Sequence, residues 1–134
     1  MTAQNIEPCG EADVYREEIL DHSRQPRNKQ VMIDATFKSQ RRNMSCGDSM
    51  EIFVKLGEGE KVAQLTFDGV GCAISQATAS MLTEEATGKT LDEIMALSER
   101  DIFELLGTEV GPARIRCAML ALETLKKGIE EYRK

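Results

Sequence analysis

Val62-Ala-Gln-Leu-Thr-Phe-Asp-Gly-Val-Gly-Cys-Ala-Ile-Ser-Gln-Ala-Thr-Ala-Ser-Met-Leu82 holds the point at which the periodicity of the chain changes. Residues 62–68 read as a strand, joined through a Gly57-Glu58-Gly59-Glu60 turn to an alternating stretch at 49–56 with Met50, Ile52, Val54 and Leu56 on one side. From Ala73 the apolar positions Ile74, Ala77, Met81 and Leu82 fall at i, i+3, i+7 and i+8, the spacing of one helical face. Gly88 is placed to end that helix.

Toward the N-terminus, Val31, Ile33, Ala35 and Phe37 alternate with Met32, Asp34, Thr36 and Lys38, which predicts a half-buried strand. A short helix is expected over residues 13–23, stopped near Pro26. Toward the C-terminus, Thr90 is placed to cap a helix through Leu97 and Ser98 another through Leu106. Gly111-Pro112 opens a long final helix whose apolar stripe is Ile115, Ala118, Met119, Leu122, Leu125, Ile129 and Tyr132. Strands first and helices after, without βαβ alternation, predict an α+β fold: a three-stranded antiparallel sheet with helices packed on one face.

A chain of 134 residues suits one domain spanning 1–134, with residues 1–12 as a flexible polar lead. Its 41% apolar content is enough for a core without a structural metal, so a metal here is expected to be functional. The net charge of −6 argues against nonspecific binding to nucleic acid or anionic lipid. No run approaches the ~20 apolar residues of a membrane span, and none resembles an export signal. A cytoplasmic, reducing location is therefore expected for Cys9, Cys46, Cys72 and Cys117. Charge is uneven: between residues 24 and 42, Arg24, Arg27, Lys29, Lys38, Arg41 and Arg42 face only Asp34. Such a run is either a solvated face or a docking surface for an acidic partner.

Three cysteines stand where the chain turns or a helix begins. In Asn43-Met44-Ser45-Cys46-Gly47-Asp48 the glycine allows the loop to curl, so that Cys46 and Asp48 can aim together. Cys72 follows Gly69-Val70-Gly71 at a strand-to-helix junction, where free amides and the helix dipole favour a thiolate. Cys117 lies roughly 130° from the centre of the final helix's apolar stripe, on its flank rather than in the core, at 100° per residue. Three soft thiolates with one hard carboxylate suit zinc or an iron-sulfur cluster with one exchangeable corner. Spacing alone also allows unrelated reduced cysteines and a surface Asp, the reading given to Cys9. Arg114 and Arg116 flank Cys117 and, having no lone pair for a metal, act through charge if they act at all. His22, remote in sequence from the cysteines, is assigned to packing or a helix end.

These residues resemble the IscU/SufU/NifU N-terminal family of iron-sulfur assembly proteins. The likeness runs from Tyr15 to Tyr132 and rests on Tyr15 to His22, Pro26-Arg27-Asn28, Ser45-Cys46-Gly47-Asp48, Gly71-Cys72-Ala73-Ile74-Ser75, Ser80-Met81-Leu82-Thr83-Glu84 and Cys117. The resemblance implies that Cys46, Asp48, Cys72 and Cys117 are cluster or zinc ligands. Met44, Ser23 and Gln25 replace the family's usual proline, tyrosine and asparagine. Arg116 stands where IscU-type members have histidine, and their Leu-Pro-Pro-Val-Lys chaperone segment is missing, as in the SufU type. The 45-residue interval from Cys72 to Cys117 nevertheless has no room for the SufU-type insertion.

The function so implied is a scaffold that accepts persulfide sulfur from a cysteine desulfurase, with Cys117 as acceptor. It would build a labile 2Fe-2S cluster and pass it to recipient apoproteins. The alternative is a SufU-type zinc-dependent sulfurtransferase; a purely structural zinc module is least favoured.

Overall fold

The computed structural model describes residues 10–44 and 47–134, with side chains from Glu17 onward. The expected lead through residue 9, together with Cys9, Ser45 and Cys46, lies outside the described residues. Helix α1 spans Gly10–Arg24 and so begins inside the expected lead. Strands β1 (Phe37–Asn43), β2 (Asp48–Leu56) and β3 (Val62–Val70) follow, then helices α2 (Ala73–Ala86), α3 (Leu91–Met95), α4 (Glu99–Leu106) and α5 (Pro112–Tyr132). The strands form one antiparallel sheet in the order β1-β2-β3, as the alternation and short connections predict.

Register explains the arrangement of the core. Met50, Ile52 and Val54 of β2 pair across from Gly69, Phe67 and Leu65 of β3, and their side chains enter one core with Ala77, Leu82, Leu122, Leu125 and Ile129 of α2 and α5. Helix α2 is buried on nearly every side, including Ser75, Gln76, Thr78, Ser80 and Thr83. Their hydroxyls find partners close by: Thr78 Oγ1 donates to Ile74 O at 2.8 Å and Thr83 Oγ1 to Ser80 O at 2.7 Å. His22 Nδ1 meets Ser80 Oγ at 2.7 Å, which ties α1 to the middle of α2 and supports the packing role read for this histidine.

The first strand differs from expectation. It occupies Phe37–Asn43 rather than the alternating stretch from Val31 to Lys38. A short loop to β2 brings Asn43 opposite Asp48, with Gly47 N donating to Asn43 O at 2.8 Å, so the residues immediately before the loop must pair. Val31, Ile33 and Ala35 instead lie in a link between the sheet edges. Lys29 bridges to Phe67 of β3, whereas Thr36 N donates to Val54 O at 2.7 Å. Asp34 pairs with Lys55, so the link crosses the face opposite the helices. Ile33 is 98% exposed there, while Met32 and Phe53 are buried. Ala35 and Phe37 are half-buried on the expected side and Asp34, Thr36 and Lys38 are exposed, so the alternation fails at Val31, Met32 and Ile33.

The helix boundaries follow the local chemistry. Thr90 Oγ1 accepts from Glu93 N at 3.1 Å and Glu93 Oε1 from Thr90 N at 2.8 Å, a reciprocal cap that starts α3. Gly88 takes a left-handed φ of +95° just after α2, and Pro112 opens α5. Glycine is demanded most strongly at Gly69, where β3 turns toward α2. Its φ is +145°, and a Cβ there would come within 2.2 Å of Ser49 O. Gly69→Ala is expected to destabilise the fold by roughly 2–4 kcal/mol, because β2 backbone rather than a flexible side chain must move. Denaturant titration with unchanged slope is the check.

Candidate metal centre

The start of β2, the junction of β3 with α2 and the start of α5 meet at one end of the sheet. Asp48 is the first residue of β2, Cys72 is the N-cap of α2, and Cys117 is in the second turn of α5. One ligand atom from each of Asp48, Cys72 and Cys117 lies within 4.8 Å of the others. Residues 24 and 45 positions apart in the chain are thus held by three separate elements around one point. Cys46, the remaining expected ligand, lies outside the described residues; its neighbour Gly47 has a φ of +77°, the backbone state that glycine supplies without a Cβ penalty.

Cys117 is 5% exposed, more covered than a flank position alone suggests. Its side chain is nevertheless outside the contiguous apolar core. The helical angle placed it off the stripe, and packing of α5 against β1 and β2 leaves it little exposed. Cys72 is more accessible than Cys117. Arg114 and Arg116 are exposed.

Asp48 provides the test of what the site suits. It is 5% exposed, and its Oδ2 is buried with no hydrogen-bond partner among the described residues. A buried carboxylate oxygen without a donor is costly, and two thiols beside it provide no strong compensation. A divalent zinc or iron ion would satisfy the oxygen and accept both sulfurs, so the donor set fits a thiophilic metal with one hard ligand.

Several supporting residues escaped sequence reasoning. A Cβ on Gly71 would lie 2.9 Å from Asp48 Cγ and 2.3 Å from Ser75 Oγ, so the bare backbone makes room for the carboxylate and hydroxyl together. Ser75 Oγ donates to Cys72 O at 3.0 Å, and Gln76 N donates to the same oxygen at 3.1 Å. Gln76 Oε1 accepts from Lys29 Nζ at 2.9 Å. These contacts orient the Cys72 turn, the task that groups behind metal ligands perform. The available signal was the polar run in a helix that is otherwise buried. Gly71→Ala is expected to displace Asp48 and weaken zinc binding by about 10- to 100-fold, the cost of losing such support. Competition with a chromophoric chelator measures it.

Among the described residues no helix is long and apolar enough to cross a membrane. The chain matches the family model described as the NifU-like N-terminal domain over residues 14–134. It is 40% identical over 119 residues to the iron-sulfur cluster assembly scaffold protein IscU of Aquifex aeolicus, an alignment covering 88% of this chain and 75% of the relative. It is also 35% identical over 133 residues to the zinc-dependent sulfurtransferase SufU of Bacillus subtilis, covering 87% and 89%. The crystal structure of a nitrogen-fixing NifU-like protein (N-terminal) from Brucella abortus superposes with a TM-score of 0.74 over 90% of this chain and 95% of that one; at 17% identity this shows a shared fold. With its sheet, helices and sequence all in agreement, the chain belongs to the NifU-like N-terminal domain family.

Proposed function

We propose that this protein is an iron-sulfur cluster assembly scaffold that receives sulfur from a cysteine desulfurase, assembles a labile cluster and passes it to recipient apoproteins. The observation that carries the reading is the Asp48 carboxylate, whose buried Oδ2 has no partner among the described residues, beside thiols that belong to separate elements. A site meant only to hold metal gains from four thiolates, whereas a cargo must leave, and one hard ligand among soft ones makes a weak corner. We assign Cys46, Asp48, Cys72 and Cys117 as the ligands and 2Fe-2S as the cargo. Residues 1–134 act as one domain in this reading, in the cytoplasm, where the thiols stay reduced.

Sulfur enters by exchange. The Cys117 thiolate attacks the outer sulfur of the donor's persulfide; a new S–S bond forms at Cys117, the donor's S–S bond breaks, and the donor leaves as a thiolate. No net oxidation occurs in that step. Conversion of the transferred sulfur to sulfide requires two electrons from a reductant outside this chain.

The second reading, a zinc-dependent sulfurtransferase, is favoured by Arg116 next to Cys117 and by the absence of the IscU-type chaperone segment. In it Cys117 performs the same exchange, zinc is resident, and no cluster is built. Anaerobic purification followed by incubation with iron and sulfide separates the two. The scaffold exchanges bound zinc for a visible iron-sulfur chromophore that a recipient protein removes. Zinc held one-to-one through the incubation, with sulfur still relayed, would replace the scaffold by the sulfurtransferase.

A further inference from the structure

The basic run between residues 24 and 42 is divided by the fold. Arg27 pairs with Asp21 at 2.6 Å, Lys29 with Gln76 at 2.9 Å and Lys38 with Glu51 at 3.9 Å. Arg41 and Arg42 have no ion-pair partner among the described residues, and both are exposed at the end of the edge strand β1. There they join Arg116 of α5 in lining a cleft of about 320 Å³, together with Asn43, Met44, Leu120 and Glu123. Arg116 has other contacts within the chain, so the strand pair supplies the open donors. Three guanidinium groups face one carboxylate in this cleft, on a protein whose net charge is −6.

Its location gives the cleft a use. Asn43 pairs with Asp48 in the sheet register, and Arg116 precedes Cys117, so the cleft borders the candidate metal centre on two sides. Cys117 is 5% exposed, so a donor sulfur has to be carried to it on a segment that inserts at the site. Carboxylates on such a segment would be repelled by much of this acidic surface and attracted at the cleft.

We propose that the Arg41/Arg42/Arg116 cleft anchors an acidic segment of the sulfur-donating protein and so directs its persulfide to Cys117. This rests on the sulfur-acceptor reading above. Guanidinium forks hold carboxylates in two-point contacts, which orient as well as attract. Exposed pairs are individually weak, so the cleft acts mainly through orientation and encounter rate, and its effect fades with salt.

The test uses the whole chain with its cysteine desulfurase. Arg41→Glu/Arg42→Glu should weaken binding by about tenfold at 0.05 M salt and much less at 0.5 M, with sulfur transfer slowed in parallel. Arg24→Glu/Lys38→Glu makes the same change in net charge outside the cleft and should have little effect. Circular dichroism and zinc content establish that both variants are folded. Equal weakening by the two pairs would reduce the effect to net charge and overturn the cleft. So would normal desulfurase binding with slowed cluster delivery, which would make the recipient the occupant. A short all-glutamate peptide reads the cleft without the enzyme: amide resonances of residues 41–44 and 116 should shift in the wild type, and shifts absent or spread elsewhere would sink the proposal. Peptide shifts without any sulfur uptake from the desulfurase would leave the anion cleft standing and count against the acceptor function. Uptake that is indifferent to Arg41→Glu/Arg42→Glu would do the reverse.

Discussion

Asp48→Ala is expected to stabilise the metal-free protein and to destabilise its hold on metal, opposite signs from one substitution. Without metal, Asp48 Oδ2 is buried with no partner among the described residues, a state that costs on the order of 1–3 kcal/mol. Its removal should raise the melting temperature of metal-free protein by a few degrees, since ~1 kcal/mol corresponds to roughly 2–8 °C across domains of this general size. With zinc present the same change removes a ligand, and affinity should fall by at least about 100-fold, the upper end of what loss of an outer partner alone costs. On the assembled cluster, replacing the hard corner leaves the thiolate ligands, so transfer to a recipient should slow by about tenfold, equivalent to ~1.4 kcal/mol of barrier. Calorimetry of metal-free protein, chelator competition and anaerobic transfer kinetics report the three effects separately. A mutant that keeps its zinc and transfers its cluster at the wild-type rate would remove Asp48 from the site.

Cys117→Ser should abolish sulfur acceptance, lowering it by more than about 100-fold, because a neutral hydroxyl replaces the thiolate that attacks the donor persulfide. Peptide mass spectrometry after turnover with desulfurase and cysteine should place the added sulfur on the Cys117 peptide of the wild type. The more exposed Cys72 is the competitor that makes this informative. Sulfur found only on Cys72 or Cys46 would reassign the acceptor. Because the side chains are nearly isosteric, Cys117→Ser should keep the native circular dichroism, so lost acceptance is not attributable to unfolding.

The contrast between Cys72 and Cys117 also separates local from tertiary information. Cys72 sits where Gly69-Val70-Gly71 turns a strand into a helix, a junction written in a dozen contiguous residues, and it becomes the N-cap as such a residue must. The order of strands and helices, the cap at Thr90, the start of α5 at Pro112, and the chemical suitability of Asp48 and the cysteines were likewise legible, because each depends on neighbours a few positions away. The interior of α2 was less so: Ser75 and Gln76 lie off the apolar spacing of Ile74, Ala77, Met81 and Leu82, and only the packing of the whole fold buries them.

By itself, the sequence determined the class of fold, the boundaries of most helices and the donor atoms available for chemistry, since periodicity, capping and ligand softness are properties of short segments. Tertiary structure alone decided which seven residues form β1, that Cys117 is covered, that Gly71 makes room for Asp48, and that only Arg41 and Arg42 of a longer basic run meet Arg116. The physical reason is common to all four. Strand register is set by the partner strand and the connecting loop, and burial and proximity are set by what packs from distant parts of the chain, none of which is encoded in the local period of the residues concerned.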